Sequence, residues 1–360
     1  MTMSVTRQDA AAEADREGRL PDATYTRLVE DGFARWFVPT DRGGDERSFE
    51  DLLEAVSSLG EDCTSTAWIA SLTAFGGRYV RCLSPQAQQD VWAGGPDARV
   101  VASIKPQGRL QQVDGDVVLD GVWSYVSGVE QSDWALLSTP GGPPGAGPAP
   151  IMALVPRSDY SIVEDWSSFG MRATGSHSLR LDAVRVPSHR TAPRGPVMAG
   201  VTWGRPDLPA VPSTAVNGIT FVAPALGAAR AALRDVLPAL AGPVTGPRAL
   251  SVPSYQVEHA RASAEVDAAA LLLHRLAVGA DAGRADPATV ARSRRDATYA
   301  LEVLVTALDR CLRVSGTRGT SRGTSIERRW RDVHSIASHA VMQFEPAAVE
   351  HTVLLTQEPA

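Results

Sequence analysis

The hydrophobic period of this chain changes twice, from about 3.6 residues to 2 and back, and that order limits the fold more than any single motif does. Apolar residues recur at three- and four-residue spacing in Phe49 to Leu59 and Thr66 to Phe75, with Ser48 and Thr64 placed to cap helices, so residues 8 to about 98 read as helical. Between residues 99 and 190 that spacing gives way to alternating, β-branched and aromatic residues. After a Pro/Gly-rich connector near residues 191–213 the helical period returns in Ile219 to Leu240, Tyr255 to Val278, Pro287 to Val314 and Ile326 to Met342. The α-β-α order predicts an α+β chain of several domains: an N-terminal helical domain over 1–98, a central β domain over 99–195 and a C-terminal helical bundle over 196–360.

Within the central region, Gly121 to Leu137 reads as two strand-like runs meeting at Ser127-Gly128, a bent sheet edge with a hydroxyl and an unhindered backbone where a planar ligand could lie. Upstream, Ala102 to Gly108 leads into a turn at Asp114-Gly115-Asp116. Downstream, Gly170 to Ser176 precedes an alternating strand ending at Val186-Pro187. The run from Thr139 to Pro148 holds too many prolines and glycines for a helix or a ladder and is expected to be an exposed loop.

Composition excludes several classes. A formal charge of −6 argues against a nucleic-acid-binding patch. Cys63, Cys82 and Cys311 are too scattered for a disulfide framework or a Cys-x-x-Cys metal site, so a reducing compartment and no metal are expected. The first residues lack the apolar core of a signal peptide, and no run of about 18 uninterrupted apolar residues occurs. The expectation is a soluble cytoplasmic protein without a membrane partner.

Near the C-terminus, Thr324 and Glu327 have capping-box spacing, and the helix they begin would carry Asp332, Ser335 and His339 on one face. A histidine in such a helix is commonly a satisfied core or surface residue. A polar stripe would run along a helix that otherwise belongs in a bundle, and His334 lies on another face of it.

Taken in order, Cys63-Thr64-Ser65-Thr66-Ala67-Trp68, the Pro106/Gly108 turn, the Ser127-Gly128 corner, the Gly170 to Ser176 loop and Arg331-Asp332 followed by His339 resemble the acyl-CoA dehydrogenase fold. Within it they resemble the two-component flavin monooxygenases, which hydroxylate aromatic compounds or oxidise amines. The matches run from about residue 25 to 345. The resemblance implies a C-terminal four-helix bundle that also forms a homo-oligomer, usually a tetramer, with flavin in a groove completed by a neighbouring subunit. It implies reduced FMN or FAD supplied by a separate flavin reductase, O2 as co-substrate, and oxidation of a small aromatic or secondary-metabolite substrate through a flavin C4a-hydroperoxide.

Residue by residue, the resemblance places Ser127 beside flavin N5, by its spacing to Asp133-Trp134, and Tyr125 where a ring-facing aromatic stands. Ala102, Ser103 and Gly108 fall on the segment whose backbone passes the flavin, with Gly128 at the corner; Arg172 and Ser176 fall within reach of a phosphate or the ring. His339 resembles the histidine that approaches flavin C4a and substrate. Ser127 and His339 are therefore the expected catalytic pair, and Trp68, Phe75 and His339 the expected substrate contacts. Plainer roles stay open for each: a turn hydroxyl for Ser127, strand packing for Tyr125, a solvated charge for Arg172.

Departures shape the functional expectation. Where many relatives carry a histidine after the tryptophan helix, this chain has Leu72-Thr73-Ala74-Phe75, so an apolar pocket walled by Phe75 is expected. The catalytic glutamate followed by Gly-Thr of many acyl-CoA dehydrogenases has no counterpart: His339-Ala340-Val341 stands there, and Glu345 precedes Pro346. No Gly-x-Gly-x-x-Gly opens a βαβ unit, which points to an external source of reducing equivalents. Two other classes stay open, a flavin dehydrogenase acting on an acyl thioester and a non-redox cyclase-like enzyme or scaffold that kept the fold.

Overall fold

A computed structural model describes residues 7–141, 149–241 and 252–357; most of the Pro/Gly stretch at 139–148 lies outside the described residues. The chain opens with helices α1 (Arg7–Glu17), α2 (Asp22–Glu30), α3 (Phe49–Asp62), α4 (Thr64–Val80) and α5 (Pro85–Trp92). Ser48 caps α3 as its sequence position predicts, accepting the Asp51 amide at 3.0 Å. Thr64 does not cap α4. Cys63 occupies that position, and the Thr64 hydroxyl is buried without a partner inside the first turn.

Among the described residues eight strands follow: β1 (Val100–Ser103), β2 (Arg109–Val113), β3 (Asp116–Trp123), β4 (Trp134–Thr139), β5 (Ile151–Pro156), β6 (Ser161–Val163), β7 (Ser178–Val186) and β8 (Thr191–Pro193). They form two four-stranded sheets, ordered β1-β4-β5-β8 and β2-β3-β7-β6, in which only the β1–β4 pairing is parallel. Asp114 and Gly115, with φ of 50° and 86°, make the two-residue turn joining β2 to β3, a hairpin type that requires positive φ at both positions. The expected bent edge from Gly121 to Leu137 is not one sheet edge. β3 and β4 belong to different sheets, and residues 124–133 are the crossover between them.

β4 explains how the sheets and helices stack. Ala135 and Leu137 point into a core between the sheets with Trp123, Leu179 and Val155, whereas Leu136 points the other way into the helical core. A strand buried on both faces reads as a continuous apolar run, here Trp134 to Leu137. The helical core is shared: Trp68 and Phe75 before the sheets and Phe221 and Leu304 after them belong to one cluster of buried residues.

The second helical region contains α6 (Arg194–Ala199), α7 (Ser213–Asn217), a π-turn at Gly218–Val222, α8 (Ala223–Ala241), α9 (Val252–Asp281), α10 (Pro287–Gly319, broken at Gly316), α11 (Ser325–Ala337) and α12 (Phe344–Gln357). The stretch Ser213–Leu240 is long and apolar enough to cross a bilayer, yet 89% of its most apolar window is packed inside the protein. Two boundaries depart from the sequence pattern. α11 stops at Ala337 rather than near Met342, so His339 stands beyond the helix in extended backbone (φ −66°, ψ 132°) and begins a short 3-10 turn at Ala340–Met342. α12 adds a further helix to the four expected, with Pro346 in its first turn, where a missing amide costs nothing.

Candidate active site

Backbone pairing builds the Ser127 corner. β3 and β7 pair as far as Trp123 and Leu179, and the ladder is continued by Val126 N–H to the His177 carbonyl and Gly128 N–H to the Thr174 carbonyl, both at 3.0 Å. These bonds bracket Ser127 and hold its side chain against the loop after Gly170. Its Oγ lies 2.7 Å from Ser176 Oγ, which in turn lies 2.7 Å from Thr174 Oγ1; Thr174 donates to the Met171 carbonyl at 2.9 Å. From the helical side, the Trp68 indole N–H donates to Ser127 Oγ at 3.1 Å. Gly128 adopts φ 71°, and a Cβ there would press on Ile69 of α4 at 3.2 Å, so the corner and the helix meet closely because this residue is glycine.

Trp68 also belongs to an aromatic cluster. Its ring lies 5.2 Å from that of Phe221 and 6.0 Å from the His339 imidazole, and His339 stacks on Phe221 at 4.7 Å with 27° between planes. Phe221 comes from the π-turn, whose extra residue re-aims side chains within an otherwise regular helix and which recurs at functional sites. The turn is fastened to α4 by the Ser71 hydroxyl, which donates to the Thr220 carbonyl at 2.7 Å. Burial lowers the pKa of His339 below its ordinary value, so the ring is neutral at neutral pH. Its Nδ1 accepts from Val341 N–H at 3.4 Å, which leaves the proton on Nε2.

The loop carrying Thr174 and Ser176 is clamped by α11. Asp332, 3% exposed, accepts Met171 N–H at 2.6 Å, and Arg331 donates to the Phe169 carbonyl at 2.8 Å while pairing with Asp15 and Glu327. Desolvation pushes the Asp332 carboxyl up to about 6. The Arg331-Asp332 pair thus positions the loop rather than meeting a ligand. Gly170 fits this clamp because a Cβ would lie 2.2 Å from the Arg331 carbonyl oxygen.

Tyr125 stands at the rim, 78% exposed and in the left-handed region at φ 62°, edge-on to Trp166 at 6.4 Å. A non-glycine residue held there with its ring in solvent is strained backbone beside a prospective site. On the companion segment, Gln107 bridges Ser103 Oγ (3.4 Å) and the Ser124 amide (3.3 Å), tying the end of β1, with Ala102, to the approach to Ser127. Behind Ser127 and Gly128 lies a cavity of about 20 Å³, room for one water, lined by Tyr25, Ile69, Leu72 and Thr73 among others.

The structure therefore gathers Trp68, Ser127, Gly128, Ser176 and His339, with Tyr125 and Ser103 at the margin. Three expected residues go elsewhere. Phe75, 1% exposed, is in the helical core against Phe37, Phe49 and Tyr79, so the apolar wall beside Trp68 is Phe221. Arg172 is drawn to α1, donating to the Asp15 carbonyl at 2.8 Å. Gly108 faces Gly121 and the Trp123 ring, where a Cβ would lie 2.4 Å from the indole, so packing alone demands glycine there. Sequence reasoning missed Phe221, Thr174 and Trp166; the Gly218 before the β-branched Ile219-Thr220 run, unusual inside a helix, was the available signal for the first.

A flavin ring asks for a hydrogen-bonding group at its N5 edge, backbone able to come close, and flat apolar neighbours. Ser127 is half-buried, Gly128 has no side chain, and Tyr125, two residues before Ser127, presents an exposed ring. These groups fit such a ring.

Comparison with known proteins agrees. The family described as acyl-CoA dehydrogenase, C-terminal domain, matches residues 219–344. The flavin-dependent monooxygenase oxygenase subunit HsaA of Rhodococcus jostii (strain RHA1) is 30% identical, the alignment covering 96% of this chain and 94% of that protein. The oxygenase component of the FADH2-dependent resorcinol hydroxylase of Rhizobium sp. (strain MTP-10005) is 29% identical over 94% of this chain and 88% of its own length. The solved structure of XiaF from Streptomyces sp., in complex with FADH2 and glycerol, superposes with a TM-score of 0.90 at 25% identity, covering 98% of this chain and 92% of that one.

Proposed function

The chain belongs to the oxygenase subunits of the flavin-dependent monooxygenases built on the acyl-CoA dehydrogenase fold, and from that membership we propose that it hydroxylates a small aromatic substrate, most simply a phenol, at the Trp68–Phe221–His339 cluster. Reduced FMN or FAD, delivered by a separate reductase, supplies with O2 the oxygen atom that is transferred.

The observation that carries this reading is the position of Trp68. Its indole nitrogen bonds Ser127 while its ring meets His339, so one side chain joins the hydroxyl corner to the imidazole. Ser127, with the Gly128 backbone and Ser103 nearby, would hold the ring edge of the flavin, and Tyr125 would lie against it. Phe221 and Trp68 offer flat apolar surfaces to an aromatic substrate and exclude water from it. The neutral His339 keeps a proton on Nε2 and can donate it in a hydrogen bond to a phenolic oxygen, favouring the phenolate character that makes the ring electron-rich.

The same reading includes a homo-oligomer, a cytoplasmic location, and three packing regions meeting at the residue 99 and 195 boundaries. Titration with oxidised and reduced FMN and FAD, followed by mixing with O2 and a panel of phenols, tests it. Tight binding of the reduced form, a largely colourless purified protein and oxygen-dependent phenol hydroxylation are expected. A stoichiometrically yellow protein reduced by an acyl thioester would overturn it in favour of a dehydrogenase.

A further inference from the structure

Four hydrogen bonds run in series from Trp68 Nε1 through Ser127, Ser176 and Thr174 to the Met171 carbonyl, at 3.1, 2.7, 2.7 and 2.9 Å. Both ends of this series have a fixed sense. An indole nitrogen only donates and a carbonyl oxygen only accepts, while each hydroxyl between them has a single proton and two lone pairs. Thr174 must spend its proton on Met171, so the proton between Ser176 and Thr174 is that of Ser176. It follows that the proton between Ser127 and Ser176 is that of Ser127. Four bonds and four protons leave one arrangement.

The consequence falls on Ser127, the one half-exposed hydroxyl of the three; Thr174 and Ser176 are 1% and 6% exposed. One of its lone pairs receives the Trp68 proton, its own proton points at Ser176, and what remains for a ligand is a single lone pair. Ser127 is thereby an acceptor only. We propose that Thr174 and Ser176 are positioning residues that fix Ser127 as an acceptor and so make the site select the N5–H of a reduced flavin over the bare N5 of an oxidised one. Oxidised N5 carries a lone pair and would face another across the contact, so its binding requires the series to be broken and reordered.

This inference rests on the flavin reading of the site and adds a signed expectation to it. Thr174→Val keeps shape but removes the acceptor for the Ser176 proton. That proton turns back to Ser127, and the Ser127 proton is released toward the ligand. Ser176→Ala removes the acceptor for the Ser127 proton directly and has the same outcome. Thr174→Ser retains the hydroxyl and should behave as the native chain.

The test is the pair of dissociation constants for oxidised and anaerobically reduced FMN and FAD, with circular dichroism to verify folding. For Thr174→Val and for Ser176→Ala the oxidised form should bind tighter and the reduced form weaker, moving their ratio by about tenfold, the scale of one net hydrogen bond, while Thr174→Ser leaves the ratio unchanged. A merely structural role would weaken both forms alike, and an unaltered ratio in the two folded variants overturns the proposal while leaving the flavin site intact. If Thr174→Val does not fold, Ser176→Ala decides alone. Failure of the folded native protein to bind either form removes the flavin reading, and this inference with it; loss of reduced-form affinity in Ser127→Ala separates that case by establishing the site.

Discussion

Asp332 accepts the Met171 amide proton at 2.6 Å while sealed from solvent, and this bond joins α11 to the loop whose carbonyl at Met171 ends the hydroxyl series. Ser127 is therefore ordered from two directions, by Trp68 on α4 and by the loop that α11 clamps. Displacing α11 would move Met171, then Thr174 and Ser176, and with them the hydroxyl at the corner.

The carboxyl of Asp332 also gives the fold a pH dependence. Its folded pKa, about 6, lies above the ordinary value of 3.8, chiefly through desolvation, so the folded state holds the proton more tightly than the unfolded chain. Stability from this group is full below about pH 4 and falls as pH rises toward 6, by about 3 kcal/mol at most. Asp332→Asn retains an acceptor for Met171 and cannot ionise. Denaturant unfolding at pH 4, 5, 6 and 7 should show the native chain losing ground to the variant across this window, and a constant difference between them would assign the dependence to other carboxyls.

Gly170 tests the clamp sterically. A Cβ there would meet the Arg331 carbonyl oxygen at 2.2 Å and Ser335 Oγ at 2.7 Å, and the first of these is backbone that cannot swing away. Gly170→Ala should destabilise by roughly 1–3 kcal/mol or more, as overpacking does, and should weaken reduced-flavin binding by disturbing Ser176. Native stability with native affinity would show that the loop and α11 can separate without consequence.

The sequence pattern carried most of this architecture and only part of the site. Periodicity placed α3, α4, α9 and α10 because long amphipathic repeats are local, and Asp114-Gly115 marked its hairpin because only residues tolerant of positive φ can turn there. The partners of Ser127 were harder to see. Thr174 and Ser176 reach it through backbone bonds beyond the end of β7, and Phe221 is aimed by a π-turn, neither of which leaves a periodic trace. The apolar spacing runs on past Ala337 and so extends the expected helix through His339, whereas α11 ends at Ala337 with Ser338 as its C-cap and gives way to a new turn. Phe75 shares the Trp68 face of α4 but sits two turns along, where Phe37 and Phe49 enclose it.

Ser127→Ala probes coupling rather than folding. The substitution removes one hydrogen bond to the bound flavin, worth roughly 0.5–1.5 kcal/mol net, and leaves Ser176 and Thr174 bonded to one another. Less product per reduced flavin oxidised, with correspondingly more hydrogen peroxide released, is the expected result in an oxygen-consumption assay. Unchanged coupling would confine Ser127 to a turn.

His339 and His334 make a stricter comparison, because the two imidazoles sit five residues apart with opposite surroundings. His334 donates from Nδ1–H to the Trp330 carbonyl at 2.8 Å and turns Nε2 to Asp309 at 3.4 Å, on the side of α11 that faces α10. His339 has left the helix and stacks on Phe221 beside Trp68. Product formation should fall by roughly 10²-fold or more in His339→Ala, the usual scale for a positioned proton donor, and stay within a few-fold in His334→Ala. Protonation at Nδ1 would break the bond from Val341 N–H and put a charge into the buried stack on Phe221, so the placement of the Nε2–H donor holds above about pH 6.5, the ordinary imidazole value, and is lost as pH falls through the lowered pKa. The acid limb of the rate profile should consequently lie below that pH and disappear in His339→Ala. An acid limb that survives in His339→Ala and vanishes in His334→Ala, with both variants folded, would transfer the proton-donating role to the other face of α11.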